Sequence, residues 1–394
     1  MFNTKILYII DSLGVGGAEK LLVLTLQELN HHEKHVIILS KPDTLVEKIP
    51  TTCKVSILDF TSYKDIPRIS RFVRRYIKEN QIDIVHSHLY YSNVIARLAT
   101  PRNVPVFNTI HAISSLASYQ INRMTLYMEK LTYKKRHHII AVSNEVLKDF
   151  DKWVNLKGAS SVLYNFIDDI FFTPLPKTEF SSNKLRLVAV GNLRYQKNYP
   201  YILDAFKSMP ASVSLDVYGD GALRDELQHD INKYSLNIRL CGTQNNMHEV
   251  LLQYDAFLMS SFYEGQPVAL LEAMASGLPV FLSDIPVLHE VAKDNAVYFD
   301  LNDPGDLVKK VKEIISRNID LSSLASLAHS RAKAIAKKSA HINKLNEIYE
   351  QYRLEVLSKS DPEKEIIGTN GKLRKTAKGN LLNQSGGSTK YMKQ

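Results

Sequence analysis

Two carboxylates eight positions apart, Glu264 and Glu272, sit in the otherwise almost wholly apolar run SSFYEGQPVALLEAMASGLPV, residues 260–280. Pro267 suits a first helical turn, and Gly277 followed by Pro279 suits a helix end. The residues between them leave no polar face, so the spacing predicts a buried helix with Glu272 inside it. A carboxylate taken out of water is costly unless hydrogen-bonded, so either a protein group or a ligand must supply donors. A second constellation follows the run VAVG: Arg194 and Lys197, three residues apart just past a strand's carboxyl end. Taken alone they read better as solvated surface cations, but at a strand's carboxyl end a guanidinium fork and an ammonium suit a diphosphate. A third is DSLGVGGAEK, with glycines at 14, 16 and 17. It is a strand-to-helix turn whose amide groups and positive helix end suit an anion. It matches neither the dinucleotide fingerprint, because Glu19 takes the third glycine's place, nor a P-loop.

Other motifs carry less. DFD at 149–151 has the spacing of a divalent-metal carboxylate pair, but it lies in the helical pattern NEVLKDFDKW, and a solvated face is the expectation. HSH at 86–88 places two imidazoles on one strand face with no cysteine or carboxylate beside them, so no metal site is expected. No G-x-S-x-G elbow and no H-E-x-x-H pair occurs.

The elements that must position these residues alternate. KILYII, HVIILS, IDIVHSH, VPVFNTI and HHIIAVS read as buried strands separated by helical stretches. After a Pro-, Ser- and Thr-rich break the rhythm restarts with LRLVAVG, VSLDVYG, NIRLCG, DAFLMS and PVFLS. This predicts an α/β chain of two doubly wound Rossmann-like domains, residues 1–170 and 183–320, with a ligand in the cleft at the strands' carboxyl ends. Helices are expected over 321–357, packing back toward the first domain. A disordered basic tail is expected over 358–394.

With 394 residues and 44% hydrophobic residues the chain can build large cores, and no apolar run approaches a membrane span. The N-terminus reads as a first strand rather than a leader. Two isolated cysteines fit a reducing, cytoplasmic location. The net charge of +9 is uneven: residues 1–180 carry 23 Lys+Arg against 17 Asp+Glu, and residues 358–394 carry 8 against 3. Charge spread over helices, without interleaved aromatics or a recognition motif, argues against a nucleic-acid partner. Attraction to an anionic membrane surface fits it, at the inner face of the cytoplasmic membrane. Oligomeric state is not encoded legibly.

Together these residues resemble glycosyltransferase family 4, retaining enzymes of the GT-B fold, over nearly the whole chain to about residue 355. YEGQPVALLEAMASGLPV looks like the family's E-x7-E segment; VAVGNLRYQKN resembles its diphosphate-binding loop; VYGDGALRDEL and LCGT resemble its two following glycine loops. GVGGAEK, IVHSH, the His111 of NTIHA and AVSNEV fall in the expected order. The resemblance implies transfer of a sugar from a nucleoside diphosphate sugar, UDP favoured, to a saccharide or lipid-linked saccharide, with no cofactor and no metal. It implies catalytic roles for Glu264, Arg194, Lys197 and His111. Donor binding would fall to Gly16, Gly17, Gly242, Thr243, Gly265, Gln266, Pro267 and Glu272, the last through ribose hydroxyls. Two departures stand out: Asn192 occupies the place of the family's usual Arg, and Gly265-Gln266-Pro267 replaces its usual glycine or aromatic-glycine pair. A nucleotide-sugar 2-epimerase and a silent nucleotide-binding subunit are the rival readings on the same fold.

Overall fold

The computed structural model describes residues 4–116, 123–172, 176, 184–316 and 319–360, with side chains given through residue 352 except that of Arg123. By contact, the chain divides into Met1–Ile348 and Tyr349–Gln394. The first unit contains both sheets, and the described part of the second is helical.

The first sheet has seven strands: β1 (Lys5–Ile10), β2 (Glu33–Ile38), β3 (Lys54–Ile57), β4 (Ile84–His88), β5 (Val106–Ile110), β6 (His137–Ala141) and β7 (Ser160–Val162). Their order is β3-β2-β1-β4-β5-β6-β7, and each pair is parallel. The central strands are buried along their length, as a sheet covered on both faces requires. Helices α1 (Gly17–Glu28), α2 (Ile66–Glu79), α3 (Tyr90–Ala99), α4 (Arg123–Thr132) and α5 (Asn144–Val154) supply the cover.

The second sheet has six strands, β8 (Leu185–Val190), β9 (Val213–Tyr218), β10 (Ile238–Gly242), β11 (Ala256–Met259), β12 (Val280–Ser283) and β13 (Val297–Phe299), in the order β10-β9-β8-β11-β12-β13, again all parallel. Around it lie α6 (Tyr199–Phe206), α7 (Arg224–Lys233), α8 (Met247–Leu251), α9 (Val268–Ala275), α10 (Pro286–Ala292) and α11 (Pro304–Ile315). Strand order reverses between β1 and β4 in one sheet and between β8 and β11 in the other. The loops after these strands, where ligands gather in such sheets, carry the glycine turn at 14–17, the Arg194–Lys197 segment and Glu264.

Two further helices follow among the described residues, α12 (Leu321–Ile335) and α13 (Lys338–Ser360). Buried Ala325, Ala328 and Ala332 let α12 approach the second domain closely, and its His329 Nδ1 donates to the carbonyl of Ala275 at the end of α9, 2.7 Å. The start of α13 returns to the first domain: Lys338 pairs with Glu28 at 2.8 Å, and His341 Nδ1 donates to Tyr164 O at 2.7 Å. The helix continues to Ser360, three residues into the stretch expected to be disordered. The rest of that stretch lies outside the described residues, as does most of the break between the domains.

Three strands went unread in the sequence. β3 is a half-exposed edge, and β7 and β13 have three residues each, too short for a period.

Candidate functional site

The two sheets are joined where the loop after β11 meets the first domain. Ser143 Oγ, at the start of α5, donates to Gly265 O across the interface at 2.8 Å, and Asn165 Nδ2 donates to Gln266 O at 2.9 Å. A Cβ on Gly265 would stand 1.9 Å from the carbonyl oxygen of His111, so only glycine permits this approach. Farther out, Glu290 of α10 accepts from the amide and side chain of Asn144, both at 2.7 Å, and from the Tyr164 hydroxyl at 2.9 Å. Gly17 opens α1 where a Cβ would lie 3.3 Å from Val268 Cγ2 of α9. The helix starts of both domains thus face one another.

Between them lies a cavity of ≈ 350 Å³, within the size range of small-molecule sites. Its lining includes Gly16, Gly17, His111, Lys197, Thr243, Glu264, Gly265, Gln266, Pro267 and Glu272. Ten of the twelve residues expected from the sequence are therefore brought together. Arg194 and Gly242 are not among the lining residues.

Of the expected cation pair, Lys197 lines the cavity and Arg194 does not. Arg194 precedes the tight turn Tyr195–Lys197 with an extended backbone, φ −129° and ψ 157°, while Lys197 belongs to the turn itself. Lys197 enters the cavity; Arg194 stays exposed, its charge felt at Glu19 of the first domain. Gly242 ends β10 in the left-handed region, φ +71°, and its carbonyl accepts from Gly219 N at 2.8 Å. It shapes the turn that presents Thr243.

Glu264 is buried and fully engaged. Lys197 Nζ lies 2.6 Å from its Oε1, Ser261 Oγ donates to the same oxygen at 2.7 Å, and Gln196 Nε2 reaches Oε2 at 3.3 Å. It does not cap α9, whose N-cap is Pro267 with no side-chain bond.

Glu272 behaves differently. Among the described residues its carboxylate has no hydrogen-bond or ion-pair partner, and no arginine stands against it. Nor is it sealed in a core: with Val268 and Ala269 it retains surface toward the cavity, so α9 has a cleft-facing side that the apolar spacing concealed. Burial pushes its carboxyl up to about 7, with the Lys20 ammonium of α1 pulling the other way. Because the folded-state value lies above the ordinary 4.5, the folded protein binds the extra proton between those two values. Glu272 therefore contributes stability that is lost as pH rises across that window. Hydroxyl donors at the carboxylate would relieve the cost.

Gln266 is held in one orientation. Its Oε1 accepts the backbone N–H of Asn165, which can only donate. The amide nitrogen is thereby fixed as a donor, and it is buried without a protein partner while the residue lines the cavity.

His111 bridges to the HSH strand, its Nε2 3.0 Å from Nδ1 of His88. Burial drives His111 down to about 4 and His86 to about 3, so both rings are neutral near pH 7. Neutral imidazoles, His111 hydrogen-bonded to His88 and His86 to Thr109, suit binding of hydroxyls rather than proton removal. The DFD carboxylates are used locally: Asp149 accepts from Ser115, and Asp151 accepts from Leu156 N at 2.7 Å. Among the described residues no cluster of three or more His, Cys, Asp or Glu could hold a metal ion.

Sequence reasoning missed Lys20, Asn165 and Gln196, which also line the cavity, as does Asn192, read in the sequence only as a departure from the family's Arg. Lys20 had a signal, lying three residues after Gly17 on the first turn of α1, whereas Asn165 sits in a linker without one.

Comparison with known proteins bears on this arrangement. Residues 15–170 match the family model described as Glycosyltransferase Family 4, and residues 174–336 match Glycosyl transferases group 1. A similar protein is the UDP-Gal:alpha-D-GlcNAc-diphosphoundecaprenol alpha-1,3-galactosyltransferase of Escherichia coli. It is 27% identical over 308 residues, 68% of this chain and 76% of the relative. Another is the Campylobacter jejuni N-acetylgalactosamine-N,N'-diacetylbacillosaminyl-diphospho-undecaprenol 4-alpha-N-acetylgalactosaminyltransferase, 22% identical over 83% of this chain and 94% of that one. Among solved structures, Anabaena HepE in complex with UDP-glucose superposes with a TM-score of 0.76 at 17% identity, covering 89% of this chain and all of that one. The architecture is GT-B. The two family models, side by side along the chain, and the cavity their halves enclose lead to one conclusion: this protein belongs to glycosyltransferase family 4 and is a glycosyltransferase.

Proposed function

We propose that the protein transfers a sugar, with retention of anomeric configuration, from a nucleoside diphosphate sugar to a lipid-linked saccharide during cell-surface polysaccharide synthesis. The observation that carries this reading is Glu272, a carboxylate open to the cavity with no protein donor, across from the Lys197–Glu264 pair. Two ribose hydroxyls would satisfy Glu272. The diphosphate would lie between the N-terminal ends of α1 and α9 and draw Lys197 toward it, leaving Glu264 its bonds to Ser261 and Gln196. The sugar would then rest near His111, Gly265 and the fixed amide donor of Gln266.

In the transfer step the bond between the anomeric carbon and the diphosphate oxygen breaks. A bond from that carbon to the acceptor oxygen forms on the same face, and the acceptor's proton passes to the leaving phosphate. No protein base and no metal is required. Lys197 stabilises the developing negative charge. UDP is the favoured donor nucleotide, supported by the Escherichia coli relative, named for UDP-Gal, and by the HepE complex with UDP-glucose. A lipid-linked acceptor is supported by the diphosphoundecaprenol substrates in the names of both relatives above, and a role in surface polysaccharide by the capsular polysaccharide biosynthesis glycosyltransferase CapH of Staphylococcus aureus, 25% identical over 81% of this chain.

The test incubates the protein with a panel of UDP-sugars, with and without an undecaprenyl-diphosphate saccharide, and reads products by mass and by anomeric proton coupling. Acceptor-dependent product with the donor's configuration is expected. A changed sugar nucleotide without acceptor would make the protein an epimerase, and an inverted linkage would overturn the mechanism.

A further inference from the structure

Of the charged side chains that line the cavity, Lys197, Glu264 and Glu272 come from the second domain and Lys20 from the first. Lys197 is held by Glu264 at 2.6 Å. Lys20 is exposed, and among the described residues it makes no hydrogen bond and no ion pair. It is the cation in the cavity that can meet a ligand without leaving a partner. Arg194, the other cation expected from the sequence, does not line the cavity.

The place of Lys20 follows from the way two helices meet. Gly17 of α1 approaches Val268 of α9, where a Cβ on the glycine would lie 3.3 Å from Cγ2. Lys20 follows Gly17 by three residues, and Glu272 follows Val268 by four. Those separations return to the same face of an α-helix one turn later. Side chains lean toward a helix's N-terminus, so both charges turn back from one turn inside their helices into the cavity they line. The Glu272 carboxyl registers its neighbour, since the Lys20 ammonium pulls it down against the effect of burial. No ion pair joins the two, and the cavity lies between them.

We propose that Lys20 binds the phosphate attached to the donor's ribose, so that the first domain supplies the second cation of the donor site. The inference rests on the transferase reading of the cavity. With the ribose hydroxyls on Glu272, the phosphate bonded to that ribose is the one nearest the facing helix. An ammonium on a flexible four-carbon stem can reach it, and the positive end of α1 lies beside it. Lys197 then serves the outer phosphate, next to Glu264 and the bond that breaks. A nucleotide held by Glu272 of α9 and Lys20 of α1 also ties the two domains together.

Equilibrium titration of the wild type, Lys20→Met and Lys20→Arg with uridine, UMP and UDP tests this, with the guanosine and adenosine series run beside them. It is done at pH 8, above the Glu272 value of about 7. Lys20→Met should bind UMP and UDP at least about tenfold more weakly, the loss of one charged hydrogen bond, and uridine as the wild type does. Lys20→Arg should keep most of the affinity for both nucleotides. Because Lys20 is exposed, the thermal midpoint without ligand should hardly move. Should the chain prefer another base, the same split is expected in that base's series. Unchanged diphosphate affinity in Lys20→Met would overturn the proposal and leave the transferase reading standing. Equal loss for nucleoside and diphosphate would overturn it too, by assigning Lys20 to the nucleoside or to the fold. A wild type that binds none of the nucleotides would overturn the proposal together with the reading beneath it.

Discussion

Replacing Lys197 with alanine is expected to lower kcat by about 10²–10³, the cost of removing one preorganised donor to developing charge, while the KM for the donor changes far less. Lys197 is the cation that the cavity contains from the expected pair, 2.6 Å from Glu264. The same change strips Glu264 of its countercharge, so some stability is lost as well. Breaking a fully buried pair costs about 3–5 kcal/mol. The Lys197 side chain is 18% exposed and Glu264 retains the Ser261 hydroxyl, so the loss should fall short of that range. The double variant Lys197→Met, Glu264→Gln separates the two effects. It removes both charges and should recover much of the thermal midpoint without recovering turnover. Steady-state kinetics beside thermal unfolding reads both, and recovery of kcat in the double variant would show that Lys197 serves the fold alone.

Gly265→Ala should be nearly as damaging, by another route. The added methyl would meet the backbone of His111 at 1.9 Å and 2.8 Å and Ala112 Cα at 3.3 Å. Backbone cannot swing aside as a long side chain can, so the contact between the domains must open and the bond from Ser143 to Gly265 O is lost with it. Both domains keep their own cores. The expected result is a folded protein with a displaced site. A misplacement of about 1 Å can cost on the order of 10²-fold in rate. Small-angle scattering should report a larger radius of gyration. Gly242→Ala is the control: φ +71° makes the change locally strained, but nothing lies within 4 Å of the new atom and no domain contact depends on it. Wild-type dimensions and activity in Gly265→Ala would refute the role given to this contact.

Much of this site was readable because its signals are local. The strand runs, the glycine turn and the E-x7-E segment each lie within twenty residues, where spacing translates directly into a face or a loop. Arg194 and Lys197 show where that logic stops. Three residues apart in the sequence, Arg194 lies exposed in extended backbone while Lys197, in the tight turn that follows, lines the cavity. Glu272 shows a second limit. The apolar pattern of α9 predicted burial on every side, and one side is instead open because the other domain faces it across a cavity. The facing of α4 could not be read from periodicity either. Met124, Tyr127 and Leu131 have the three-and-four pattern of a core face yet are exposed, while Thr125, Glu129 and Thr132 are buried, held by Tyr90 and Arg97 from α3.

Thermal unfolding of the wild type and of Glu272→Ala in UDP, GDP and ADP shows whether Glu272 binds the ribose of a nucleoside diphosphate. It is run at pH 8, above the value of about 7 to which burial pushes the carboxyl. At 100 times its dissociation constant a ligand adds about 2.7 kcal/mol, enough to raise the midpoint by several degrees. One nucleotide, UDP, is expected to stabilise the wild type and to leave Glu272→Ala unmoved. Equal stabilisation of both proteins, or none of the wild type by any of the three, would contradict it.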